Sequence, residues 1–149
     1  WKKIEEIIRF LKTPLDPSIQ INDDFDAIKD SALKGNKITT NKLLSSTIFE
    51  DEKIPLYLNI INHRLNKLEE ASELSNHDSL SKAIEALKPP IFWKEKEIVK
   101  EQVKILNYDK IKNLIVEVNN IEFLVKKYPS TALNITTNFI LEQAIKTNN

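Results

Sequence analysis

Cysteine and methionine are both absent from the 149 residues, and glycine occurs once, at Gly35. Without cysteine the chain has no disulfide, no thiolate nucleophile and no thiolate metal site, which fits a reducing compartment and makes the cytoplasm the expected location. One glycine is too few for a phosphate-cradling loop, where several are needed so that backbone amides can approach the oxygens; no lysine and hydroxyl pair follows Gly35 either. No apolar run approaches the length that spans a bilayer, so no membrane partner is expected. An excess of either charge is missing too. Twenty-two basic residues face 22 acidic ones, and the chain lacks the net positive field that gives nucleic-acid binders their sequence-independent affinity, although a local patch stays open. Arginine is scarce, at Arg9 and Arg64 only, in a background rich in Lys, Ile and Asn. That usage reads as AT-rich coding and points to a bacterial source. The chain begins at Trp1 with no signal-peptide pattern and is expected to be a fragment.

What is present suits one domain, long enough to bury roughly two thirds of the surface of its unfolded chain. Forty-one per cent of the residues are hydrophobic, and the six prolines, at 14, 17, 55, 89, 90 and 129, leave long unbroken stretches. Apolar residues recur at helical spacing in most of them. Ile4, Ile7, Ile8 and Leu11 predict a first helix closed by Pro14 and Pro17. Asn22 or Asp23 is expected to cap a second, with Phe25, Ile28, Ala32 and Leu33 inward and Gly35 as its left-handed end. Thr39 or Thr40 would cap a short third. Pro55 opens a long helix carrying Leu58, Ile61, Leu65 and Leu68 to about Leu74. Ser79 or Ser81 starts a short helix that Pro89 and Pro90 stop. Another follows from about Trp93 with Phe92, Val99, Val103 and Leu106 as its stripe, and Pro129 separates the last two. The segment around Asn119 and Asn120 could pair as a hairpin, since its flanks alternate and are β-branched; a helical stripe from Ile111 to Tyr128 favours a helix. The expected fold is all-α, a helical bundle of about seven to eight helices. Residues 1–21 would form an N-terminal helix and linker, or the end of a preceding domain, and 22–149 the bundle.

Candidate sites are few. His63, beside Arg64 on a helix flank, and His77 in a loop suit surface or structural roles better than metal binding. Asp23, Asp24 and Asp26 read as carboxylates at a helix start, and no carboxylate spacing points to paired acid–base work. No catalytic residue, metal or cofactor is expected. Lys96, Lys100 and Lys104 share one helical stripe that could face phosphates, with Lys94 nearby and Trp93 available to stack; Glu97 and Glu101, three residues before Lys100 and Lys104, favour a solvated face of weak ion pairs instead. Phe92 and Trp93 are expected in the core or an interface, because large aromatics dominate burial. On that expectation Trp93→Ala costs more stability than Lys100→Ala.

The segment Lys88, Pro89, Pro90, Ile91, Phe92, Trp93 and Lys94 resembles the basic-Pro-Pro-aliphatic-aromatic-aromatic-Lys stretch of the bacterial DNA polymerase III delta subunit, in the C-terminal collar domain of that clamp-loader family. Lys88 stands where the family usually has arginine. Ile54, Pro55, Leu58, His63, Arg64 and Leu68 are similar to a family helix in which an apolar start leads into His-Arg and a final Leu. The stretch DDFDAIKDSALKGN resembles the opening helix of that domain, and Glu122 and Lys126 fit the spacing of its penultimate helix. The likeness covers roughly residues 22 to 146. It implies a non-catalytic collar that packs beside the other loader subunits, tau or gamma and delta-prime, within the DNA polymerase III holoenzyme, a nucleotidyltransferase. The sliding clamp would be reached only through regions absent from this chain, and DNA contact would be indirect or weak. Two other readings stand beside it: a nucleic-acid-binding helical domain using Lys96, Lys100 and Lys104, and an accessory helical domain of an unrelated protein.

Overall fold

The computed structural model describes residues 17–148, which form seven α-helices and three single turns of 3-10 helix, with no strand among them. The helix expected over Ile4 to Leu11 lies outside the described residues. Helix α1 (Pro17–Leu33) begins at a proline, whose fixed φ suits a first turn and whose missing N–H would be unpaired there anyway. The start is earlier than the sequence led us to expect. Asn22, Asp23 and Asp24 therefore lie inside the helix and not at its cap, and the helix crosses the boundary drawn at residue 22. Asp26, also expected at the start, sits one turn before Lys29 and accepts its ammonium at 3.0 Å.

Gly35 ends α1 with φ of 76°, the left-handed region that a β-carbon disfavours. The amides of Gly35 and Asn36 donate back to the carbonyls of Ala32 and Ser31, closing the last turn. Asn36 then caps α2 (Lys37–Ser46), its side chain accepting from the Thr39 amide. This corrects the expected caps at Thr39 and Thr40. Thr40 is buried inside the first turn, where its hydroxyl donates to the Asn36 carbonyl and shares a 2.9 Å hydrogen bond with Ser31 of α1.

Helix α3 (Ile54–Leu74) is the central strut, packed against α1, α4, α5, α6 and α7. Ile54, Leu58, Ile61, Leu65, Leu68 and Ala71 recur every three or four residues and are all buried, as the periodicity predicts. Tyr57 joins them, stacked on Phe25 at 4.7 Å and edge-on to Phe49 at 5.7 Å. Such pairs contribute about 0.5–1.5 kcal/mol beyond the area they bury.

Helix α4 (Leu80–Glu85), capped by Ser79, is followed by α5 (Lys96–Ile105), α6 (Tyr108–Lys127) and α7 (Ala132–Asn148). The ambiguous segment at Asn119-Asn120 is helical throughout, with Ile111, Leu114, Val118 and Val125 of α6 buried and both asparagines exposed. The hairpin alternative would have turned half of that stripe to water. Phe139, Ile140 and Ala144 of α7 complete the core.

Candidate functional site

The Pro-Pro stretch singled out by sequence lies where α4 gives way to α5. Helix α4 stops at Glu85, before either proline; Leu87 is buried, Ile91 is half-buried against the core, and the peptide between Lys88 and Pro89 is cis. A single 3-10 turn (Trp93–Glu95) closes when the Glu95 amide donates to the Phe92 carbonyl at 2.8 Å, and α5 begins one residue later. This turn rotates the aromatic pair outward. Phe92 is 58% and Trp93 69% exposed, so of the two places expected for them, the core or an interface, the core is excluded. Leu87 before the prolines and Ile91 after them supply the apolar contacts at the corner, and Val99 is the first fully buried residue of α5.

Helix α3 ties the corner down from below. The Lys67 ammonium donates to the carbonyls of Lys88 (2.8 Å) and Pro89 (3.2 Å). One turn back along α3, Arg64 is only 5% exposed. Its guanidinium donates to the Asp30 carboxylate at 2.8 Å and the Gln102 side-chain carbonyl at 2.9 Å, and pairs with Glu95 at 3.4 Å. The Gln102 amide returns a hydrogen bond of 3.3 Å to the Asp30 backbone carbonyl, so α1, α3, α5 and the 3-10 turn are joined through one buried arginine. Burying a charge in this way is tolerated because its donors are satisfied by two carboxylates and an amide oxygen.

Between α1, α3 and the corner opens a recess of about 340 Å³. Ile60, Pro89, Pro90, Ile91 and Phe92 form its apolar lining, and its charged lining consists of Lys29, Arg64 and Lys67 with Asp26 and Glu95. His63 is exposed at its margin. The structure thus brings His63 and Arg64 together with Pro89 to Phe92, while Lys88, Trp93 and Lys94 lie outside the recess lining, exposed beside it. Lys94 sits over the Trp93 ring, 5.3 Å from its centroid. His77 is exposed.

The lysine stripe is arranged differently from the ion-pair ladder expected along α5. Lys96 reaches back to Glu85 at 2.7 Å and Lys100 to the Ser81 hydroxyl at 3.1 Å, so both fasten α5 to α4; Glu101 pairs with Lys34, just past the end of α1, and Lys104 is exposed. Among the described residues no group of three or more His, Asp or Glu side chains could hold a metal ion, and no helix is long and apolar enough to cross a membrane.

The displaced ionisations lie away from the recess. Burial pushes the Tyr57 hydroxyl up, the Glu50 amide that it accepts partly opposing this. Tyr108 is raised because it donates to the Glu73 carboxylate at 2.6 Å, and Lys112, 4.7 Å from the Tyr108 ring centroid, is raised by its contact with that tyrosine.

Asp30, Glu95 and Gln102 are the site residues that sequence reasoning missed. A signal did exist for one of them: Gln102 falls three residues after Val99 and four before Leu106, and a polar side chain on so apolar a stripe requires a buried partner. No protein-family model, curated protein or solved structure matches the chain.

Proposed function

We propose that the chain is the non-catalytic collar domain of a delta-like clamp-loader subunit of DNA polymerase III, a helical block that holds its neighbours in register while other parts of the subunit act on the sliding clamp. The observation that carries this reading is the convergence of two family-like motifs distant in sequence. His63 and Arg64 of α3 line the same recess as Pro89, Pro90, Ile91 and Phe92. A collar works by presenting a fixed surface, and Arg64, Lys67 and Glu95 brace the one that these residues form. The all-helical architecture fits the same reading, and the compartment would be the cytoplasm.

The nucleic-acid alternative has less support, because Lys96 and Lys100 are spent on Glu85 and Ser81. Co-expression of the full-length protein with the tau or gamma and delta-prime subunits of its organism provides the test. Retention through affinity and size-exclusion steps is expected; failure of the intact protein to enter that complex defeats the reading and leaves the helical accessory domain of an unrelated protein.

A further inference from the structure

Phe92 and Trp93 stand in solvent on backbone that is otherwise pinned. Their ring centroids are 5.9 Å apart, Lys67 holds the carbonyls of Lys88 and Pro89 upstream, and Glu95 downstream is paired with Arg64. A braced segment presents its side chains at little entropic cost on binding, and large exposed aromatics of this kind are the residues that dominate protein–protein hot spots. Beside the pair lies the recess of about 340 Å³, at the small end of the range for binding pockets and lined in part by Ile60, Pro90 and Ile91.

Charge around the pair is mixed, since Glu97 stands exposed one turn beyond Trp93, but the two residues that bracket the corner are both basic. Lys88 and Lys94, the residues that bracket Pro89 to Trp93, have no carboxylate partner among the described residues, and Lys94 touches only the Trp93 ring. The acids inside the recess are matched differently: Asp26 is bound to Lys29 at 3.0 Å and Glu95 to Arg64 at 3.4 Å.

We propose that the aromatic ledge and its recess dock a protein partner through a short segment with one large apolar side chain flanked by carboxylates. The apolar side chain fills the recess against Ile91 and Phe92, Trp93 covers it, and the flanking carboxylates meet Lys88 and Lys94. A nucleic-acid strand fits less well, because it carries a charge at every nucleotide and would set phosphates against Asp26 and Glu95, whereas a peptide needs its charges only at the rim. This inference stands apart from the collar reading, since it concerns what the ledge binds and not which assembly the domain joins.

The test uses the full chain carrying Trp1→Phe, which leaves Trp93 as the sole indole. A library of randomised short peptides is selected against it and, in parallel, against the same chain with Phe92→Ala. The expected result is a consensus of Leu, Ile or Phe flanked by Asp or Glu, enriched only on the first chain. Binding of a synthetic consensus peptide should change Trp93 fluorescence, weaken with salt, and fall at least tenfold with Lys88→Glu and Lys94→Glu combined. Circular dichroism on each variant confirms that the fold is kept. An identical consensus on the Phe92→Ala chain, no apolar–acidic consensus, or a Trp93 response to an oligothymidylate strand and to no selected peptide would overturn the proposal.

Discussion

Arg64 shows most clearly what periodicity conveys and what it conceals. Sequence reading set it with His63 on a helix flank, but its position three residues after Ile61 carries it onto the buried stripe of α3. Its partners were not legible from spacing: Asp30 and Gln102 lie 34 and 38 residues away in sequence, and nothing local encodes a pairing across three helices. Removing the guanidinium leaves the Asp30 carboxylate and the buried Gln102 amide without their partner, while Glu95, 37% exposed, turns to water, so Arg64→Ala should cost about 3–5 kcal/mol in urea unfolding. Arg64→Lys should recover only a small part, because one ammonium cannot replace the planar fork. Trp93 makes the opposite point. Size alone argued for burial, but the two aliphatic residues that bracket the prolines already supply the corner's apolar contacts, and the 3-10 turn carries the indole outward. Trp93→Ala should therefore change stability by no more than about 0.5 kcal/mol, whereas Leu65→Ala, in the centre of α3, should cost about 2–5 kcal/mol. A large loss at Trp93 with a small one at Leu65 would reverse this picture of the core.

The helices themselves were largely readable, because each is an apolar stripe between recognisable stops. The errors fell at their starts, where several residues can cap and only packing chooses. Asn36 caps α2 in place of either threonine because Thr40 turns inward to Ser31; Asn36→Ala should lower stability by about 1 kcal/mol, and an unchanged thermal midpoint would contradict the assignment. Between α3 and α6, the clasp of Tyr108 on Glu73 gives a dependence on pH. Tyr57, Tyr108 and Lys112 are all raised in the folded chain, and all are protonated at neutral pH. A group raised on folding contributes fully below its unfolded value and loses its contribution as pH climbs through the folded one. Stability should thus be level near neutrality and fall from about pH 10 upward, the ordinary tyrosine range. Tyr108→Phe should soften that fall, since it has no proton to lose. Thermal midpoints measured across the alkaline range for both proteins would expose the difference, and superimposable curves would remove Tyr108 from the account.

For the whole molecule, sequence yielded the all-helical class and the order of helices from α2 to α7, and it marked the Pro-Pro corner as a place of interest. It placed Phe92 and Trp93 in the core or an interface, and the core half of that reading fails, because exposure is set by which neighbours fill the available volume, and that is decided by α1, α3 and α5 together. What emerges is a bundle braced through Arg64 beneath an exposed aromatic ledge. The central proposal is that this block holds other chains within a clamp loader. Sedimentation velocity on the full-length protein, mixed with purified tau or gamma and delta-prime subunits, tests this most directly. The account predicts one faster-sedimenting species that contains all three proteins; separate boundaries for the folded protein and its intended partners at every concentration would contradict it.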